Sequence, residues 1–370
     1  MIRLEHVSKT FPNSTTPAVD HVTLEVPEGE ICVLLGPSGC GKTTTMKMVN
    51  RLIEPSSGEI FIGDRNTADY DPVQLRRTIG YVIQQIGLFP NKTIEDNICL
   101  VPDVLGWERS KSRARAAELL DMVALDPGTF LKRYPKELSG GQQQRIGVLR
   151  AIAADPPVLL MDEPFGAIDP INREIIQDEF LKMQARIKKT IMFVSHDIDE
   201  AVKMADRIAI FRDGRLVQYD TPDNILAHPA ESFVSDFVGG DRTLKRLQLL
   251  TVNDAMQHDP PRVTAEDTLE TAAAIMAEHG HQAIVIVGPR GRARGYVQLS
   301  VARGGKGKVG ENHETLPTTV KPGEDLRTAV STMFRHDVSW LACIDDEGTF
   351  KGYVTLRSIT RLLSEAYRDG

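Results

Sequence analysis

The sequence predicts an α/β domain built on a mixed sheet, followed by a smaller, duplicated α+β tail. Three observations predict it. An apolar, β-branched run from Ile31 to Leu35 leads directly into the glycine-rich stretch Gly36 to Thr43. Further apolar runs end in polar side chains: residues 79–83 before Gln84, residues 157–161 before Asp162 and Glu163, and residues 191–194 before Ser195 and His196. Near the C-terminus, residues 263–300 align with 320–357 at a fixed offset of 57, with 11 identities in 38 ungapped positions.

A chain of 370 residues is long enough for two or more domains, each with its own core. A net charge of −7 argues against nucleic acid as a partner. Cysteines 32, 40, 99 and 343 lack metal-ligand spacing, and two lie on or beside the glycine-rich stretch, so a reducing, cytoplasmic setting is expected. No apolar run approaches the ~20 residues that span a bilayer. The first residues alternate like a strand rather than reading as a signal peptide. Any membrane role is therefore expected to come through a partner.

In chain order, residues 2–7 and 22–26 alternate as antiparallel strands. Phe11 follows the first, where a flat aromatic either stacks on a base or plugs a strand end. Gly36, Pro37, Ser38, Gly39, Cys40, Gly41, Lys42 and Thr43 spell G-x-x-x-x-G-K-[ST], opening a helix at Thr44. Glycines turn successive N–H groups onto a phosphate, the helix N-terminus adds partial positive charge, Lys42 reaches the outer phosphates and the Thr43 hydroxyl suits magnesium. Gln84, at a strand end, either reaches a magnesium ion or the attacking water, or is a surface residue. A basic, solvated helical face is expected at Arg109 to Arg115. Ser139 reads as an N-cap whose following glycines, Gly140 and Gly141, leave backbone donors open to an anion. Asp162 and Glu163 end an apolar strand at the edge where open α/β sheets bind ligands; Asp162 suits magnesium and Glu163 a general base, with a mere strand cap as the plain alternative for one of them. A helix is expected over 171–188 and a hairpin turning at Asp213 and Gly214.

Taken together, the phosphate loop, Gln84, Leu138-Ser-Gly-Gly-Gln142, Asp162-Glu163 and His196 stand in the order and spacing of ATP-binding cassette (ABC) transporter ATPases, which residues 1–240 resemble. The resemblance implies a P-loop ABC ATPase domain with a helical signature subdomain. It further implies a head-to-tail homodimer that sandwiches ATP and Mg2+ between one phosphate loop and Ser139, Gly140, Gly141 and Gln142 of the other copy. It makes Phe11 the adenine-stacking aromatic, Glu163 the general base and His196 the γ-phosphate contact. Asp169 becomes the acid of the loop coupling the two sites, and Gly166-Ala-Ile-Asp169 departs from the usual Ser-Ala-Leu-Asp by a lost hydroxyl.

The repeated tail resembles a tandem pair of CBS domains, expected at 251–310 and 311–370 after a linker at 241–250. In nucleotide-binding CBS units a Thr or Ser follows Gly-Tyr-Val, with an Asp three residues later. Here the second unit has Thr355 and Ser358, and the first has Gln298 and Val301. The first unit is also expected to lose its closing helix to the glycine- and lysine-rich residues 303–310. Six cations, Arg290, Arg292, Arg294, Arg303, Lys306 and Lys308, either meet an anionic lipid or nucleotide effector or form a solvated loop. ABC ATPases with such a tail resemble the energy subunits of importers for quaternary-amine osmoprotectants such as glycine betaine, carnitine or choline. The implied setting is peripheral, at the cytoplasmic face of the membrane. Integral permease subunits would be contacted near Gln84 to Pro90, and a solute-binding protein would act indirectly. The same ATPase serving another small cation or amino-acid-like solute, or a soluble ABC switch, are the alternatives.

Overall fold

The computed structural model describes residues 1–12, 14–84, 87–166 and 168–365. The chain divides into two compact units: Met1–Ile225 with Pro229–Gly239, and the residues from Gly240 onward with Leu226–His228.

The first unit holds two sheets. A four-stranded antiparallel sheet pairs Val19–Val26, Ile2–Lys9, Ser57–Ile62 and Arg65–Asn66 in that order. The second has six strands in the order Arg215–Asp220, Arg207–Arg212, Ile31–Leu35, Thr190–Val194, Val158–Asp162 and Ile79–Val82. All its pairings are parallel except the hairpin at one edge. That hairpin turns where expected, with Asp213 and Gly214 both at positive φ, 49° and 82°, a type I′ turn. The three central strands are buried at every position, as parallel strands covered on both faces must be.

Register places the site. Val194 pairs with both Leu34 and Asp162, and Val82 pairs with Met161. The chain therefore leaves the same sheet edge at Gly36, at Ser195, at Glu163 and near Gln84, on four neighbouring strands spaced about 4.8 Å apart. The expected helix over 171–188 is Pro170–Ile187. The helix at Arg109–Met122 presents Arg109, Lys111 and Arg113 to solvent as the sequence suggests, with Arg113 paired to Glu95 at 3.0 Å and half-buried Arg115 to Glu118 at 2.9 Å.

In the second unit the offset of 57 reappears as structure. Strands Arg262–Val263, Ala283–Val287 and Ala293–Gln298 are matched by Thr319–Val320, Trp340–Ile344 and Phe350–Thr355. Helices Leu269–His279 and Leu326–Arg335 are capped at matching places, by Thr268 accepting from Thr271 N–H and by Asp325 accepting from Thr328 N–H. The repeated glycines have a steric cause. A Cβ on Gly295 would lie 2.5 Å from the Glu314 carbonyl oxygen, and one on Gly352 would lie 2.4 Å from that of Gln257.

Two expectations are corrected here. Residues 241–250 are not an open linker, because Arg242–Leu249 is a helix whose Leu247 is buried in the core around Leu326 and Met333. Nor does the first repeat lose its closing helix. It shortens to the six residues Leu299–Gly304, against ten in Leu356–Glu365, because a glycine pair at Gly304 and Gly305 ends it.

Candidate functional site

The phosphate loop follows the buried strand Ile31–Leu35 and opens the helix Lys42–Val49. Its glycines are needed as glycines. Gly36 and Gly41 have φ of 148° and 105°, and a Cβ would lie 2.3 Å from the Phe211 carbonyl oxygen or 2.5 Å from that of Ala18. Pro37, Ser38 and Gly39 are exposed at the rim, Cys40 and Lys42 are buried, and Thr43 and Thr44 are half-buried. Lys42 Nζ donates to the carbonyls of Gly36 at 2.6 Å and Pro37 at 2.8 Å, so the ammonium lies across the loop it serves.

The acids approach from the neighbouring strand end. Asp162 is buried and accepts from Thr43 Oγ1 at 3.2 Å. Burial pushes its carboxyl above the usual carboxylate value, and the Thr43 hydroxyl partly offsets that. One residue on, Glu163 lies at φ 45°, a left-handed conformation rare outside glycine, so its side chain leaves the strand in a direction extended backbone would not give. Gln84 Nε2 donates to Glu163 Oε2 at 2.8 Å, and His196 Nδ1 lies 3.6 Å from Glu163 Oε1. Two residues from two other strand ends thus converge on the carboxylate of Glu163. Phe11, 39% exposed, lies in the turn after Ile2–Lys9, where Lys9 sits over its ring at 5.4 Å. The Ala18 N–H donates to the Lys9 carbonyl and the Ala18 carbonyl lies against Gly41, which brings this turn alongside the phosphate loop.

Ser139 caps the Gly140–Ile152 helix in a capping box with Gln142: Ser139 Oγ accepts from Gln142 N–H at 3.3 Å, and Gln142 Oε1 accepts from Ser139 N–H at 3.0 Å. Ser139 and Gly140 are exposed, and a Cβ on Gly140 would meet nothing within 4 Å. Among the described residues no hydrogen bond joins this turn to the phosphate loop of the same chain. Asp169 is exposed and caps Pro170–Ile187, accepting from Asn172. Ala167, between Gly166 and Asp169, lies outside the described residues, as does Gln85 beside Gln84.

The arrangement can bind a nucleoside triphosphate at a helix N-terminus and present a carboxylate beside its outer phosphate. Its relatives decide which machine it serves. The ABC transporter family matches residues 19–166, and the CBS domain family matches 252–300 and 315–365. The osmoprotectant import ATP-binding protein OsmV of Salmonella typhimurium is 54% identical over 98% of this chain and 96% of its own length. This chain belongs to the ABC transporter ATP-binding subunits. The glycine betaine/carnitine/choline transport ATP-binding protein OpuCA of Bacillus subtilis is 46% identical over 99% of this ABC subunit and 97% of its own length. A solved dimeric ATP-binding cassette, in a post-hydrolysis state with ADP and Pi, matches with a TM-score of 0.53. It is 35% identical and covers 60% of this chain and 99% of that one. ABC subunits of this kind hydrolyse ATP, and ATP is the nucleotide this cassette binds.

The tail behaves differently at its motif. Thr355 and Ser358 bond each other. Ser358 N–H donates to Thr355 Oγ1 at 2.9 Å, and Thr355 N–H donates to Ser358 Oγ at 3.0 Å, at the start of the Leu356–Glu365 helix. They line a cleft of about 1140 Å³ with Asp254, Gln257, Arg357 and Arg361. In the first repeat, Gln298 donates to Glu314 at 3.3 Å. The six cations 290, 292, 294, 303, 306 and 308 are all exposed, and Lys308 is paired with Glu266 at 2.5 Å.

Sequence reasoning missed the side chains that hold the site's loops: Arg173, Gln177 and Glu200. Arg173 touches the loops of both Asp169 and His196, and Gln177 and Glu200 form a buried pair beneath Ser195. No local motif marks them, because their partners lie up to 24 residues away and only the fold brings them together.

Proposed function

We propose that this subunit hydrolyses ATP as a head-to-tail homodimer and thereby energises import of quaternary-amine osmoprotectants such as glycine betaine, carnitine or choline. The observation that carries the catalytic part is the convergence of Gln84 and His196 on Glu163, one residue beyond an Asp162 bonded to Thr43. The names of full-length relatives from two organisms support the solute class.

Glu163 is the base that takes a proton from the attacking water, and Gln84, within hydrogen-bond reach of its carboxylate, orients that water. His196 stands where it can contact the γ-phosphate. Thr43 Oγ1 and Asp162 offer hard oxygen ligands side by side and fit Mg2+, which would neutralise charge on the phosphates when bound. Phe11 supplies a face for adenine. Ser139, Gly140, Gly141 and Gln142 are open to a second copy, whose phosphate loop they complete, and Asp169 lies exposed where the two copies would meet. Lys42 leaves its loop carbonyls for the β- and γ-phosphates.

Contact with the permease uses an apolar recess of about 310 Å³ lined by Val73, Leu100, Val101 and Val104 and rimmed by Arg76 and Arg77. A short helix with an apolar face fits such a recess. The sequence points to Gln84–Pro90 instead, a stretch of which Gln85 and Ile86 lie outside the described residues; exposed Ile83 and Phe89 flank them. No helix among the described residues is long and apolar enough to cross a membrane. The relatives, import and transport ATP-binding proteins, support a subunit that works from the cytoplasmic face through that partner, with a solute-binding protein acting indirectly. The CBS pair regulates turnover, its wide cleft taking an anionic nucleotide near Arg357 and Arg361. The exposed arginines 290, 292 and 294 suit anionic lipid as the other effector.

The test is reconstitution with the permease and its solute-binding subunit in vesicles. Glycine betaine, carnitine or choline should raise ATP turnover and accumulate inside. Stimulation by an unrelated amino acid but by none of these would overturn the solute class. Turnover persisting in Glu163→Gln would overturn the catalytic assignment.

A further inference from the structure

One helix holds the histidine loop from two sides. Arg173 and Gln177 lie one turn apart on the same face of Pro170–Ile187. Arg173 Nη2 donates to the carbonyl of Ile168 at 3.0 Å, and Arg173 Nη1 lies 3.5 Å from Asp197 Oδ2. Gln177 Nε2 donates to Glu200 Oε1 at 3.2 Å, and buried Glu200 accepts from Ser195 Oγ. Ser195 Oγ in turn accepts from the Asp197 N–H at 3.0 Å. Of the two neighbours of His196, Asp197 is therefore held directly by the helix that Asp169 caps, and Ser195 indirectly, through Glu200.

We propose that Arg173 is a positioning residue for ATP hydrolysis, clamping the loop of Asp169 to the loop of His196, with Gln177 and Glu200 as the inner half of the clamp. The inference rests on the roles proposed above for His196 and Asp169. A planar guanidinium can serve a carbonyl and a carboxylate at once, which a lysine ammonium on its flexible stem does less well. A helix-stabilising role does not explain Arg173. It stands in the first turn, where the helix dipole disfavours a cation. The clamp makes the Asp169 loop, which faces the second copy, and the His196 loop, which faces the phosphate, move as one body. Its loss should then affect the chemical step rather than nucleotide capture, because Lys42 and Thr43 lie outside it.

The experiment is steady-state and single-turnover ATP hydrolysis by the full-length protein, comparing Arg173→Ala, Arg173→Lys, His196→Ala and the double variant Arg173→Ala with His196→Ala. Arg173→Ala should lower kcat about tenfold with KM within about twofold, since small misplacements of catalytic groups are costly. Arg173→Lys should recover part of the loss, and the double variant should be no slower than His196→Ala alone, as expected of residues acting through one another. Wild-type kcat in Arg173→Ala, a KM rise in place of the kcat loss, or full additivity in the double variant would overturn the clamp. Thermal unfolding is read alongside. Should Arg173→Ala unfold below assay temperature, Arg173→Lys and Asp197→Asn replace it, and wild-type kcat in both overturns the clamp. His196→Ala alone separates the two readings: if it turns over at the wild-type rate, the histidine assignment falls and the clamp with it. If it is slow while Arg173→Ala is not, only the clamp falls.

Discussion

The cassette and the CBS tail each place a threonine where a family motif expects it, and the two threonines spend their hydroxyls differently. Thr43 Oγ1, at the start of a helix, donates to Asp162, 119 residues away in sequence and at the end of a strand. The Thr355 hydroxyl accepts from the N–H of Ser358, three residues on, and Ser358 answers by accepting from Thr355 N–H. The first contact joins two segments far apart in sequence, both in the proposed nucleotide site. The second is a helix cap, and a helix would need it with no ligand in prospect. For these two threonines, the bond that crosses the fold points to chemistry, and the bond that closes its own turn is explained by the turn.

The most direct way to break this contrast is to remove the groups proposed to act on the nucleotide. Lys42→Ala and Glu163→Gln should each lower ATP hydrolysis by at least about a hundredfold, the usual scale for losing a base or a charge at a phosphoryl transfer. Glu163→Gln should still dimerise with ATP in light scattering. A protein that stays monomeric under saturating ATP would contradict the sandwich. By contrast, Leu326→Ala, at a fully buried tail position, should cost the second unit about 2–5 kcal/mol while basal turnover persists. The chain has two tryptophans, Trp107 in the first unit and Trp340 in the second, so fluorescence of a Trp107→Phe background reads the tail alone.

The convergence of the candidate site residues was legible because each of them ends or follows an apolar strand, and parallel register does the rest. Once Val194 pairs with both Leu34 and Asp162, the three loops must meet. The repeat was equally legible, since Gly295 and Gly352 are fixed by backbone crossings 57 residues apart. What stayed hidden were the features without local periodicity. The helix Arg242–Leu249 reads as a linker until Leu247 has a core to enter. The ion pair of Arg113 needs a partner from outside its own helix, Glu95. Arg173, Gln177 and Glu200 look like ordinary helix-surface residues until the Asp169 and His196 loops are folded against them.

The cap reading sharpens the comparison further. Ser358→Ala removes an acceptor for Thr355 N–H and should destabilise the last helix by about 1 kcal/mol, again without touching basal turnover. A loss of effector response without any loss of stability would instead give that hydroxyl a ligand and bring the tail closer to the cassette.

The smallest effect concerns two acids, one in each unit, whose surroundings shift them in opposite directions. Burial raises the Glu200 carboxyl above the ordinary value of 4.5, with Ser195, Gln177 and Arg173 lowering it in part and Asp197 raising it. Its contribution to stability is therefore complete below 4.5 and is lost as pH rises through the raised value. Asp345, on the surface of the tail, is lowered below 3.8 by the Thr349 N–H at 2.8 Å and by Lys351 at 3.0 Å. Its contribution is present above 3.8 and is lost as pH falls through the lowered value. Thermal unfolding from about pH 3 to about pH 7 should therefore show two opposite changes of slope. Glu200→Gln should raise the relative stability of the first unit at the neutral end, because the neutral amide can still bond Ser195 and Gln177 without a buried charge. Asp345→Asn should lower that of the second unit at the same end and leave the acid end unchanged. If Glu200→Gln instead weakened the first unit at every pH, the carboxylate would be bound more tightly than its burial implies. The inner half of the clamp would then be ionic, held by Arg173 rather than by the amide of Gln177.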